Sequence, residues 1–123
     1  MGRKVLIVDD SPLMRKMVKK VLGMAGLGLD AVHEAGDGVE ALEVIAREAI
    51  DLALVDVNMP RMNGEELLVA LRGDPKTAAL AVVMVSTEGS EARIERFREL
   101  KAGFVRKPFT PEGLAEAIQG AGT

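Results

Sequence analysis

Short apolar runs alternate along the chain with stretches whose apolar residues recur at helical spacing. Val5-Leu6-Ile7-Val8, Leu52-Ala53-Leu54-Val55, Ala81-Val82-Val83-Met84-Val85 and Gly103-Phe104-Val105-Arg106 are short and nearly continuous, as strands buried on both faces should be. Ala31-Val32-His33-Glu34-Ala35 is more polar and predicts an exposed strand at a sheet edge. Between the strands, five helices are expected. The first carries Leu13, Met14, Met17, Val18, Val21 and Leu22, with Arg15, Lys16, Lys19 and Lys20 on its other face. Ala41, Leu42, Ile45 and Ala46 mark the second, and Leu67, Leu68 and Leu71 the third. Ile94, Phe97 and Leu100 mark the fourth, and Leu114, Ala117 and Ile118 the last.

Local signals punctuate this pattern. Ser11-Pro12 and Thr110-Pro111 each pair a capping side chain with a proline suited to the first helical turn, and Ser90 caps the fourth helix. Gly64 opens the third helix. Gly26 with Gly28, and Gly73-Asp74-Pro75, are stops, and Gly36-Asp37-Gly38 reads as a tight turn. Five strand–helix alternations with short connections imply right-handed parallel βα units. The expected fold is α/β, a doubly wound five-stranded parallel sheet.

In such a sheet the carboxyl ends of all strands lie on one side, where ligands bind. The first strand ends in Asp9-Asp10, the third in Asp56, the fourth in Ser86-Thr87 and the fifth in Lys107-Pro108. Three carboxylates in one cleft repel unless a cation joins them, and an all-oxygen donor set suits Mg²⁺. Lys107 would pair with a carboxylate or a bound anion, and Ser86 adds a hydroxyl. Such a set describes phosphoryl transfer, with Asp56 as the natural nucleophile. Each residue alone has a plainer reading: Asp9 or Asp10 as a helix cap, Ser86 as a turn residue, Lys107 as an exposed strand end. Four strand ends supplying complementary groups is not what capping predicts.

Composition narrows the alternatives. A chain of 123 residues suits one domain, taken as residues 1–123, and 48% hydrophobic residues suffice for a core. With 2% aromatics there is no base-stacking platform, and a net charge of −3 gives no electrostatic reason to bind nucleic acid. No cysteine and one histidine, His33, exclude thiolate chemistry and multi-histidine metal sites. No apolar run approaches the length of a membrane span and no signal peptide opens the chain, so no membrane insertion and a cytoplasmic location are expected.

Asp9-Asp10, Asp56 with Asn58-Met59-Pro60, Ser86 and Lys107-Pro108-Phe109, in this order, resemble the receiver domain of response regulators across essentially the whole chain. The nearest likeness is to single-domain chemotaxis regulators of the CheY type. The resemblance implies a flavodoxin-like (βα)5 fold with strand order 2-1-3-4-5, the order known for CheY. It also implies a switch of two-component phosphorelay signalling rather than an enzyme acting on other molecules. Asp56 would accept a phosphoryl group from a histidine kinase. Asp10 and Asp56 would ligate Mg²⁺ through side chains, Asn58 through its carbonyl and Asp9 mostly through water. Lys107 would pair with Asp56 and then with the phosphoryl group, and the Lys107–Pro108 bond would be cis. Ser86 and Phe104 match the switch hydroxyl and the switch aromatic, although Ser replaces the commoner Thr and Phe the Tyr of the best-known members. Thr87 stands where the family often has Ala. Asn58 and Glu88 match positions flanking the attacking water, which implies self-dephosphorylation over seconds to minutes.

The implied output surface is helix four, strand five and helix five, bound by a downstream protein after phosphorylation, in a monomer or a phosphorylation-dependent dimer. The fourth helix mixes Arg93, Arg96 and Arg98 with Glu91, Glu95 and Glu99, an exposed pattern that supports i,i+4 pairing. No output domain follows within the chain, although a segment of a longer regulator would read the same way. A hydrolase of the haloacid dehalogenase type also uses Asp and Mg²⁺, but its nucleophile lies on the first strand with a second Asp two residues on. Position 58 is Asn here and no substrate cap is evident. A flavodoxin-like cofactor binder lacks its phosphate-cradling loop and its flavin-stacking aromatics.

Overall fold

The computed structural model describes residues 3–26, 29–87 and 89–121. The elements alternate strictly: β1 (Arg3–Val8), α1 (Pro12–Met24), β2 (Leu29–Ala35), α2 (Gly38–Arg47), β3 (Leu52–Asp56), α3 (Gly64–Gly73), β4 (Ala81–Ser86), α4 (Glu91–Glu99), β5 (Gly103–Arg106) and α5 (Pro111–Ala121). The strands form one sheet, all parallel, in the order β2-β1-β3-β4-β5. The expected flavodoxin-like architecture is therefore the one found, with β3 at its centre.

Alternation along the three inner strands separates two cores. Leu6, Val8, Ala53, Val55, Val82 and Met84 face one side, under Ala41 and Val44 of α2, Leu67, Leu68 and Leu71 of α3 and Phe97 of α4. Val5, Ile7, Leu52, Leu54, Val83 and Val85 face the other, under Val18 and Leu22 of α1 and Leu114 and Ile118 of α5. Helices thus cover both faces, which is why the buried stretches of the inner strands, Val5–Val8, Leu52–Val55 and Val82–Val85, are apolar throughout.

The helix starts follow their capping chemistry. Ser11 accepts from the Met14 N–H at 3.2 Å, Ser90 from Arg93 at 3.2 Å and Thr110 from Gly113 at 3.0 Å. Asp37 does more than turn the chain: it caps α2, accepting from the Glu40 N–H at 2.9 Å. Asn63 and Glu66 form a reciprocal capping box at the start of α3. At the far end of α3, Arg72 donates to the carbonyls of Leu80, Ala78, Leu100 and Lys101, so one side chain ties α3 to the entry of β4 and the exit of α4.

Three expectations need correction. β5 is an edge strand, not one buried on both faces: Val105 is buried, Phe104 half-buried and Arg106 exposed. Its place follows from strand order, which its composition does not encode. On α1, Leu13 and Met17 are exposed, because only the stripe through Val18 and Leu22 reaches the sheet. On α2 it is Val44 that is buried, while Ala46 is exposed. Gly26 adopts φ 67 just past α1, as a helix stop should, whereas Gly28 lies outside the described residues.

Candidate functional site

The order 2-1-3-4-5 reverses direction between β1 and β3, and the carboxyl ends of these two strands open a crevice. Asp9 follows β1, and Asp56 is the last residue of β3. The carboxylates of Asp9, Asp10 and Asp56 each offer an oxygen within 4.8 Å of the others. Asp9 and Asp56 are buried and Asp10 is exposed, so the cluster has one solvent-facing side. Lys107 enters from the end of β5, its Nζ 3.0 Å from Asp56 Oδ1 and 3.4 Å from Asp9 Oδ2. It arrives there because the Lys107 N–H donates to the Ser86 carbonyl at 2.8 Å, locking the end of β5 to that of β4. The Lys107–Pro108 peptide is cis.

One cation among three carboxylates leaves the cluster short of positive charge. Burial pushes the Asp56 carboxyl above its ordinary 3.8; Lys107 opposes the rise, while the charges of Asp9 and Asp10 add to it. Burial alone would lower Lys107, but its hydrogen bond to Asp56 and the charges of Asp56 and Asp9 more than offset that and hold it above 10.5. Oxygen donors with residual negative charge at this spacing fit a hard divalent cation.

The other predicted residues are placed less uniformly. Ser86 is buried at the end of β4, next to the Lys107 connection. Asn58 is exposed, two residues past Asp56. Phe104 is half-buried, its ring stacked on Phe97 of α4 at 6.1 Å between centroids. Thr87 is exposed, and Glu88 lies outside the described residues. Among the described residues, the pair found within α4 is Glu95–Arg98, at i,i+3 rather than i,i+4.

Residues 5–119 match the response regulator receiver domain family. The chain belongs to that family. It is 41% identical over 120 residues to a chemotaxis protein CheY homolog of Campylobacter jejuni, spanning 94% of this chain and 89% of that protein. It is 40% identical over 120 residues to chemotaxis protein CheY1 of Helicobacter pylori, spanning 94% of each. The solved structure of chemotaxis protein CheY4 of Vibrio cholerae superposes with a TM-score of 0.84 at 37% identity, covering 97% of this chain and 98% of that one. The protein is thus a receiver domain of the CheY type, a signalling fold. Among the described residues no helix is long and apolar enough to cross a membrane.

Two arginines at this end of the receiver escaped the sequence reading. Arg15 of α1 is not simply solvated: its Nη1 donates to the Asp9 carbonyl at 2.6 Å and its Nε to Glu34 at 2.9 Å. Its signal was weak, a single arginine among lysines just after the paired aspartates. Arg61, in the β3–α3 loop, pairs with Asp37 at 2.6 Å, a contact between residues 24 apart that no local pattern announces.

Proposed function

We propose that this receiver acts as a phosphoacceptor switch, taking a phosphoryl group from the phosphohistidine of a kinase onto Asp56. The observation that carries this reading is the setting of Asp56. It lies buried at the end of the central strand, held through Oδ1 by Lys107, in a cluster with more negative than positive charge. An Asp56 oxygen forms the new bond to phosphorus as the donor's nitrogen–phosphorus bond breaks. Lys107, already on Asp56, is within reach of the incoming phosphoryl oxygens. Ser86 and Phe104 pass the change on to α4, β5 and α5, where a downstream protein binds. Water attack at phosphorus, tuned by Asn58 and Glu88 as the receiver resemblance implies, returns the carboxylate.

Mg²⁺ fits the donor set: Asp10, Asp56 and the Asn58 carbonyl would hold it, with Asp9 acting through water. Bound there, it would neutralise charge on the transferred group. Incubation with acetyl phosphate and Mg²⁺, followed by mass spectrometry, should show one added phosphoryl group labile to hydroxylamine. It should vanish with EDTA and in Asp56→Asn. Uptake by Asp56→Asn at the wild-type rate would overturn the proposal.

A further inference from the structure

The loop between β3 and α3 carries the Asn58 carbonyl, and its geometry is set from outside the carboxylate cluster. At its base the Val57 N–H donates to the Val85 carbonyl at 3.1 Å, and the Gly64 N–H to the Val57 carbonyl at 3.0 Å. Residues 58–63 project beyond that base. Within them the Met62 N–H donates to the Pro60 carbonyl at 2.7 Å, a tight turn that puts Arg61 at φ 61. Left-handed backbone favours Gly or Asn, and an arginine there is costly unless its side chain is needed.

Its side chain has one destination. Nε and Nη2 of Arg61 both reach Asp37 Oδ2, at 2.7 and 2.6 Å, while Oδ1 of the same carboxylate caps α2. The hydrogen bond from the Glu40 N–H, helped by Arg61, outweighs burial and keeps the Asp37 carboxyl below its ordinary 3.8, so the pair stays charged at neutral pH. A second tie runs beside it, from the Gly38 N–H to the Met62 carbonyl at 3.2 Å. This contact needs glycine: a Cβ at position 38 would lie 2.7 Å from Met62 Cγ and 2.9 Å from its carbonyl oxygen. The start of α2 is thus a fixed post to which the loop is fastened at Arg61 and Met62.

We propose that Arg61 and Asp37 are positioning residues for the divalent cation, their ion pair holding the β3–α3 loop so that the Asn58 carbonyl stands ready at the carboxylate cluster. The inference rests on the metal reading above. Neither residue belongs to the cluster, so the pair acts through the backbone between Asp56 and Gly64.

Electrostatics and positioning predict opposite signs for the loss of Arg61. Removing a cation near the site should tighten Mg²⁺ binding by Coulomb attraction alone. Releasing the loop should weaken it, as outer supports of metal ligands do, by about 10-fold. Mg²⁺ is titrated into the metal-free chain while the backbone amides of Asp10, Asp56 and Asn58 are followed by NMR. Arg61→Gly, at ease at positive φ, should bind about 10-fold more weakly, and Arg61→Lys should recover most of the affinity. Asp37→Asn keeps the cap and should weaken binding similarly, and the double variant with Arg61→Gly should lose no more than either alone. Arg61→Asn, which also suits this backbone, replaces Arg61→Gly if the latter does not fold. Unchanged or tighter binding by Arg61→Gly, with the wild type binding normally, overturns the positioning role alone. Absence of Mg²⁺ binding by the wild type overturns the metal reading and this inference together.

Discussion

Replacing Lys107 with Ala tests how the carboxylate cluster is balanced. Among the described residues Lys107 is the cation paired with the side chains of Asp9 and Asp56. Its loss leaves three carboxylates within 4.8 Å of one another without that partner. Breaking a fully buried pair by removing one member costs about 3–5 kcal/mol, and a fully exposed pair is worth about 0–1 kcal/mol. The Lys107 side chain is 15% exposed and that of Asp56 11%, with one side of the cluster open to solvent. A cost of about 2 kcal/mol follows. At an unfolding entropy of about 2.1 cal/mol/K per residue, this lowers Tm by about 8 °C in EDTA.

Mg²⁺ should reverse much of that loss. It supplies the missing charge and no longer meets the repulsion of an ammonium, so the variant should bind it more tightly than the wild type. The stability gap should also depend on pH. Lys107 is held above 10.5 in the folded state, so its contribution is complete below 10.5 and fades as pH rises through the raised value. On the acid side Asp56, raised above 3.8, takes up a proton, repulsion in the variant falls and the gap narrows again. Thermal unfolding followed by circular dichroism, with EDTA and with saturating Mg²⁺ across this range, measures all three effects. A variant as stable as the wild type in EDTA, or a gap that widens with Mg²⁺, would refute the charge-balance argument.

Two further outcomes follow from the same site. Since burial raises the Asp56 carboxyl, the folded state holds a proton just above 3.8 that the unfolded chain has released. Wild-type stability therefore falls as pH rises through that window, and metal-free Asp56→Asn should lack the fall and be the more stable at neutral pH; equal pH slopes in urea melts would count against this. Gly64→Ala drives a Cβ into the Asp56 carbonyl oxygen and the Val57 Cα, backbone atoms that cannot rotate away, and should cost about 1–3 kcal/mol. Gly73→Ala, with nothing within 4 Å, is the control that urea melts should show unharmed.

The parts of this structure legible in the sequence are those that one element encodes by itself. Ser11, Ser90 and Thr110 cap the helices that immediately follow them, and the inner strands carry their burial as continuous apolar runs. Asp9, Asp56, Ser86 and Lys107 were readable because each stands at the end of a strand, and parallel topology brings those ends together. What was not legible depends on neighbours distant in sequence. The edge position of β5 follows from strand order, and the exposure of Leu13 and Met17 from which side of α1 meets the sheet. The Arg61–Asp37 pair needs a left-handed backbone at a residue whose type does not announce one.

The four-carbonyl grip of Arg72 gives α4 the mechanics of a lever. Its exit is pinned at Leu100 and Lys101, while along its length Phe97 is its one fully buried side chain. At the opposite end, the connection from Ser86 is tied to β5 by the Arg106 hydrogen bond to the Gly89 carbonyl at 3.0 Å. With the fulcrum near Leu100, the nine residues of α4 make an arm of about 14 Å. A tilt of about 10° would carry the Ser90 end through about 2 Å while the pinned end barely moved. The end of greatest travel is the one joined to β4, so on the switch reading proposed above a small shift at Ser86 would act on the long arm of the helix.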